Sequence, residues 1–450
     1  MERRRIMRAC GISAGRTRLR MSRLRSVLKA VIYSPLAPSS ISMLSQLLRS
    51  VGWLPARSRS SKSVRRVLVV QAHNSLGDLV LSIPFLQEIH RLWPRAEVDL
   101  VVGNAMTEIF ESIPFVTRVI GYAPSKLRQP LARYQDTVRL ALLSHRRLRS
   151  PYDVALDPRW DSDVYAYLAR VMGFFSSASH RLAYSGAVDG KDPSLDQFLT
   201  RAAIGGSHEH ELMRKMRLFE RLGLTSQHIE DREQLQISEA LREVSTAGKR
   251  SAQQLLQAAG LRDGERYGVL APSASAVNRI WPIEILSNVV HSLSAKTGLR
   301  FFAVGSGREV ERCDRLATIN PGVVTSLAGQ TRVLQLCAIL SESTLFIGND
   351  SGPAHISGML GRNTVVVSPF PAELNGIDHT NAPSRFRPCG PRVRVVQPER
   401  ALPPCGDFCS FAEPHCITQV SAEHVLVTCL QLLKEAVGAE NGEVKCSTRK

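Results

Sequence analysis

Residues 343–361 read Ser343-Thr-Leu-Phe-Ile-Gly-Asn-Asp350-Ser351-Gly352-Pro353-Ala-His355-Ile-Ser-Gly-Met-Leu-Gly361. The apolar run before Gly348 has the composition of a buried parallel strand. It stops at Gly348-Asn349-Asp350-Ser351-Gly352, and Pro353 then opens a helix, because a residue without an N–H loses nothing in the first helical turn. Asp350 or Ser351 is a favoured cap for that helix. The free N–H groups at such an end attract anions, and Gly352 has no Cβ to hold a phosphate away. A strand, a tight polar turn and a capped helix make a seat for a nucleotide pyrophosphate. An ordinary capped turn has the same pattern, so this segment alone does not decide the matter.

A second segment repeats the arrangement. Val67-Leu-Val-Val70 reads as a buried strand that runs into Gln71-Ala-His-Asn-Ser75-Leu76-Gly77-Asp78. From Leu79 to Trp93 the apolar residues follow helical spacing, and after Pro94 the stretch Val98-Asp-Leu-Val-Val102 reads as the next strand. This is the start of a βαβ unit with a glycine in its first turn and a carboxylate at the mouth of the helix. Asp78 is open to two readings, a helix cap or a catalytic group.

The rest of the chain extends the alternation. Strands are expected at Val116–Ile120, Tyr152–Asp157, Tyr267–Ala271, Phe301–Val304 and Thr364–Val367. Helices are expected at Leu131–Arg149, Glu209–Leu222, Ser251–Ala259 and Ser421–Leu433. Strands alternating with helices at this spacing argue for an α/β fold with parallel, doubly wound sheets. A chain of 450 residues with 44% hydrophobic content can bury two cores. The expected division is a basic, partly amphipathic extension over 1–64, one Rossmann-like domain over 65–245, a second over 246–435, and a tail over 436–450.

Charge is concentrated at the N-terminus. Residues 1–66 hold 16 Lys and Arg against the single acid Glu2, a net +15 of the formal +18, so the body is nearly neutral. No apolar segment reaches the roughly 20 residues that a spanning helix needs. Ile41, Leu44, Leu47, Leu48, Val51 and Leu54 share one helical face, the pattern of a helix lying in an anionic membrane interface. A solvated basic tail, or translation starting at Met7, Met21 or Met43, gives the same composition. Nucleic-acid binding is not expected, since the basic stretch has few aromatics for stacking and no recognised motif.

Four stretches carry a resemblance. Ser75-Leu76-Gly77-Asp78-Leu-Val-Leu-Ser-Ile-Pro84, Arg279-Ile-Trp281-Pro282, Leu327-Ala-Gly329-Gln-Thr-Arg-Val-Leu-Gln-Leu336 and Gly348-Asn-Asp350-Ser-Gly-Pro-Ala-His355 occur in that order. Together they resemble the heptosyltransferases of lipopolysaccharide core assembly, the ADP-heptose-dependent glycosyltransferase family 9. The resemblance covers roughly residues 65–430. It implies a GT-B architecture, two Rossmann-like domains facing a central cleft, with the acceptor on the N-terminal domain and the donor on the C-terminal one. It also implies inverting transfer of heptose from ADP-heptose to the lipid A/inner-core acceptor, with the enzyme peripheral on the cytoplasmic face of the inner membrane.

In that family the acidic residue of the first Gly-Asp pair acts as the base; it maps onto Asp78, with Ser75 and Gly77 in the acceptor-side loop. Arg279 stands where the family usually has Lys, and would stabilise the departing diphosphate while offering a planar fork in place of a point charge. Ser351 and Gly352 would give N–H groups to the pyrophosphate. Asp350 would cap the helix or hold sugar hydroxyls, and His355, one turn into that helix, would touch the donor. Ser273 is a second phosphate or sugar contact, or simply a turn residue. Many members have an acidic residue after the strand that ends here at Val304; either Glu309 takes that nucleoside contact or the contact differs.

No Asp-x-Asp motif is present, and the resemblance implies neither cofactor nor catalytic metal. Eight of nine cysteines follow residue 312, and Cys389, Cys405, Cys409 and Cys416 cluster with His415 beside the last. Their spacing is looser than that of standard zinc sites, so reduced structural thiols are expected, with metal binding and a disulfide as the alternatives. Two other functions fit the same residues. One is a protein heptosyltransferase of the autotransporter-modifying type, with an iron-binding cysteine loop. The other is a non-catalytic GT-B-fold protein of the envelope or of nucleic acid.

Overall fold

The computed structural model describes residues 64–122, 148, 151–159, 164–185, 196, 198–203, 209–224, 239–375, 382–406, 409 and 411–447. The expected amphipathic face at 41–54 and most of the expected helix at 131–149 lie outside the described residues.

Short, largely apolar segments form two six-stranded sheets, whose central strands β1, β4, β7 and β10 are buried along nearly all their length. The first holds β1 (Arg66–Gln71), β2 (Glu97–Gly103), β3 (Arg118–Tyr122), β4 (Val154–Leu156), β5 (His180–Tyr184) and β6 (Arg201–Ala203), in the order β3-β2-β1-β4-β5-β6. The second holds β7 (Tyr267–Ala271), β8 (Arg300–Ala303), β9 (Val324–Ser326), β10 (Leu345–Asn349), β11 (Thr364–Val367) and β12 (Val393–Val396), in the order β12-β11-β10-β7-β8-β9. All neighbours in the second sheet are parallel. Each order is that of a doubly wound dinucleotide-binding fold. In such a sheet the strand order reverses beside the first strand, leaving a crevice at the carboxyl ends where ligands bind. In the second sheet that switch point lies between β7 and β10. β7 and β11 have the expected bounds, while the strands expected at 116–120 and 301–304 are displaced by one or two residues.

The chain packs as two compact units. One holds the described parts of Met1–His73, Arg95–Gly103 and Tyr122–Ile204; the other holds those of Asn74–Pro94, Asn104–Gly121 and Gly205–Lys450. The turn after β1 and its helix therefore pack with the second sheet. The boundary expected between 245 and 246 falls inside the helix Glu239–Ala258, whose buried stripe of Ala240, Leu241, Val244, Gly248, Ala252 and Leu256 runs past it unbroken. That stripe packs on the helix Val333–Glu342 of the same unit.

The single helix expected over Leu79–Trp93 is two helices, Leu76–Val80 and Ile83–Leu92. Pro84 is the cause. It has no N–H to continue the ladder, and its ring would strike the carbonyl four residues earlier, so it sits in the first turn of a new helix. Asp78 thereby belongs to a short helix of its own. Among the described residues no helix is long and apolar enough to cross a membrane.

Candidate active site

The carboxyl ends of β7 and β10 supply two loops to the switch point of the second sheet. After β10, Asn349 stays buried and its Oδ1 accepts the Trp281 N–H at 2.9 Å, tying the two loops together. Arg279 closes the short 3-10 turn Val277–Arg279, and its Nη2 donates to Asp350 Oδ2 at 2.8 Å. His355 Nε2 lies 3.5 Å from the other oxygen, Asp350 Oδ1. One carboxylate therefore stands between a guanidinium and an imidazole. Burial alone would raise the Asp350 carboxyl, but the His355 hydrogen bond and charge, and then those of Arg279, hold it below its ordinary range.

Asp350 does not cap the following helix as expected, because its oxygens are taken by these two partners. Ser351 occupies the N-cap position of the helix Gly352–Met359 and makes no side-chain capping bond. The Ser351 and Gly352 N–H groups precede the helix's own ladder, and Pro353 has none, so this end presents donors without internal acceptors. Arg279 Nε, Ser351 Oγ and His355 Nδ1 are buried with no hydrogen-bond partner among the described residues. Each such atom costs about 1–3 kcal/mol when left unpaired. Arg279 and His355 both pair with the Asp350 carboxylate and Ser351 follows it in the chain, so the three atoms are suited to a polar ligand that would satisfy them.

The turn after β1 meets this cluster within the same unit. The helices Leu76–Val80 and Gly352–Met359 pack together. A Cβ on Gly77 would lie 3.0 Å from His355 Cδ2, and one on Gly352 would lie 2.8 Å from Leu76 Cδ2. Two glycines thus let the two backbones close on each other, and Asp78 is the next residue after the one that touches His355. Ser75 is the N-cap of the short helix, and Ser82 Oγ donates to the Asp78 carbonyl at 2.9 Å, holding the turn in place. Leu76 and Gly77, flanked in the chain by Ser75 and Asp78, thereby meet Gly352 and His355, and His355 pairs with Asp350 as Asp350 does with Arg279.

Other expected residues lie differently. Ser273 is buried in the loop after β7. Glu309 is used locally: its Oε2 accepts the Ser306 N–H as part of a capping box on the turn Gly307–Glu309. Cys389 is separated from the cysteine cluster, with its Sγ 3.8 Å from His210 Nε2. It helps line a cavity of about 690 Å³ that includes His210, Arg387, Arg394 and Gln397 and none of the residues of the switch-point cluster.

Sequence reasoning missed three supporting residues. Asn349 was visible only as the neighbour of Asp350. Arg312 donates to the Pro272 carbonyl through Nε and to the Trp281 carbonyl through Nη2, both at 2.8 Å, bracing each end of the Arg279 loop. It comes from the helix Val310–Ile319 and carries no local signal. Asn278 donates to the Cys409 carbonyl at 3.0 Å, a contact across the fold.

With this geometry in hand, three comparisons are informative. Residues 159–369 match the family described as glycosyltransferase family 9 (heptosyltransferase). The lipopolysaccharide heptosyltransferase 3 of Escherichia coli K12 is 24% identical over 301 residues, 66% of this chain and 80% of that protein. A family 9 glycosyl transferase from Veillonella parvula superposes with a TM-score of 0.64 at 18% identity, covering 84% of this chain and all of that one. The E. coli heptosyltransferase WaaC solved with ADP superposes with a TM-score of 0.60 at 19% identity, covering 82% and 99%. The two superpositions place the fold in the GT-B class.

Proposed function

We propose that this chain, whose residues 159–369 match glycosyltransferase family 9, transfers heptose, with inversion, from ADP-heptose to the inner core of lipopolysaccharide. The relatives named for lipopolysaccharide heptosyl transfer support the sugar and the acceptor, and the structure named with ADP supports the nucleotide. The observation that carries the reading is the packing of Gly77, the residue before Asp78, on His355 of the Arg279–Asp350–His355 cluster.

The chemistry follows from what inversion requires. The acceptor hydroxyl must lose a proton as it attacks the anomeric carbon, and the departing diphosphate must be met by positive charge and N–H donors. Asp78 takes the proton. Arg279 meets the diphosphate; Asp350 holds it by Nη2, leaving other donors of its planar fork, including the unpaired Nε, for phosphate oxygens. The Ser351 and Gly352 N–H groups add neutral donors at the helix end, where the helix dipole favours negative charge. Asp350 carries the charge of a carboxylate and is unsuited to touch phosphate, so it positions Arg279 and His355, with Ser273 as a further polar contact of the same crevice. The net +15 of residues 1–66 would hold the enzyme at the cytoplasmic face of the inner membrane, where a lipid-anchored acceptor lies.

The test is to incubate the full chain with ADP-heptose and deacylated inner-core acceptor, with UDP- and GDP-sugars in parallel, and to read nucleotide release and the anomeric configuration of the product by NMR. ADP release that needs both heptose donor and acceptor, with the opposite anomer in the product, is expected. Turnover with UDP- or GDP-sugars alone would contradict the donor, and a retained anomer would contradict the mechanism.

A further inference from the structure

The loop after β12 brings three thiols and one imidazole to a point. The ligand atoms of Cys405, Cys409, His415 and Cys416 all lie within 4.8 Å of one another. Cys405 Sγ is 3.4 Å and Cys416 Sγ 3.6 Å from the same nitrogen, His415 Nδ1. Metal–sulfur bonds of about 2.3 Å and a metal–nitrogen bond of about 2.0–2.1 Å in a tetrahedron put the ligands roughly 3.5–3.8 Å apart. The Cys405 and Cys416 distances to His415 already match, and the widest separation in the group, at most 4.8 Å, must close by about 1 Å. Phe411 stacks on the His415 ring, with centroids 4.1 Å apart and planes 18° apart, which fixes the ring with Nδ1 turned inward. None of the three cysteines is in a disulfide.

Thiolate packing alone explains one buried cysteine, but not four ligand atoms converging in a loop with little apolar core of its own. The loop also bears on the candidate active site. The Cys409 carbonyl accepts Asn278 Nδ2 at 3.0 Å, and the Val420 carbonyl, just beyond Cys416, accepts Trp281 Nε1 at 3.1 Å. Asn278 and Trp281 bracket Arg279 in the chain.

We propose that Cys405, Cys409, His415 and Cys416 hold one divalent transition-metal ion, and that this ion fixes the loop on which the Asn278–Trp281 turn, and with it Arg279, is seated. Three thiolates and one imidazole in tetrahedral array suit zinc, and with all four positions filled by protein the ion is structural. The site stands without any assumption about the reaction; its effect on turnover rests on the role of Arg279 given above.

Elemental analysis of the full chain, purified under reducing conditions without chelator, tests the site. About one equivalent of zinc is expected, as in closed four-ligand sites, and Cys389→Ser should retain it while Cys405→Ser and His415→Ala lose it. Iron at the same stoichiometry and with the same dependence on these variants would support the site and change the ion. Cobalt exchange of the wild-type chain gives a readout that needs no variant to fold: visible bands of tetrahedral thiolate cobalt, with sulfur-to-cobalt charge transfer. Protein without zinc or iron that gives no such bands would overturn the site. Removing the metal should lower wild-type turnover by up to about 10²-fold, the scale of a 1 Å misplacement of a catalytic group, and should add little to Arg279→Ala. Stoichiometric metal whose removal leaves turnover unchanged would overturn the bracing role while leaving the transferase reading intact.

Discussion

Gly77 and His355 are in direct contact: a Cβ at residue 77 would stand 3.0 Å from His355 Cδ2 and 3.2 Å from His355 Nε2. The ring it would meet is buried, and its Nε2 is already committed to Asp350. Gly77→Ala should therefore push the ring off Asp350 or open the packing of the two helix starts. The expected cost is about 1–3 kcal/mol of stability, the range for overpacking a filled site, together with a fall in kcat/KM. Thermal melts and steady-state kinetics on the same preparation check both, and an alanine variant with unchanged melting and turnover would show that the contact carries nothing.

The Arg279–Asp350 pair makes a second prediction. Arg279→Ala should weaken donor binding and turnover together, whereas Arg279→Lys should recover charge without the planar fork and so restore only part of the activity. Asp350→Asn should act largely through Arg279. Residues in one ion-pair network couple by about 0.5–3 kcal/mol, so the double variant should be less impaired than the product of the two single effects. Donor affinity measured by calorimetry for the four proteins completes the cycle; strictly additive losses would separate the two residues.

The depressed Asp350 carboxyl sets a sign for pH. His355 and Arg279 outweigh the upward push of burial, so its folded pKa lies below the unfolded value of about 3.9. A group lowered in this way contributes stability that is fully present above the unfolded pKa and is lost as pH falls through the folded one. The stability gap between wild type and Asp350→Asn should hold from neutral pH down to about 4 and close below it. Urea titrations across that range read the gap, and one that widens with acid would reverse the sign.

Much of this fold was legible because the strands of a parallel sheet are apolar on both faces and announce themselves as runs, as Tyr267–Ala271 and Thr364–Val367 do. The Asp350–His355 segment was legible for the same reason, since its polar turn interrupts such a run. What was hidden depended on distance or on competition. Pro84 sat inside a helical apolar pattern, and its effect on the ladder splits the helix that periodicity joins. Asp350 looked like a cap until the structure brought Arg279 from 71 residues away to claim its oxygen. Glu309 stands after β8, where the resemblance implies an acid, and its local bond to the Ser306 N–H, three residues back, is not readable from spacing alone. Cys389 and His415 exchanged roles because loop folding, which spacing does not reveal, sets which sulfur atoms converge. Arg312 had no signal at all, since its acceptors are carbonyls 31 and 40 residues away.

The most direct measurement is ADP release from ADP-heptose with deacylated inner-core acceptor, by the wild type and by Asp78→Asn, alongside donor binding to each. Removing a general base should cut turnover by roughly 10²–10⁴-fold while donor affinity stays close to that of the wild type. An Asp78→Asn enzyme that releases ADP at the wild-type rate would contradict the assignment of the base and, with it, the reading of the site assembled around Gly77 and His355.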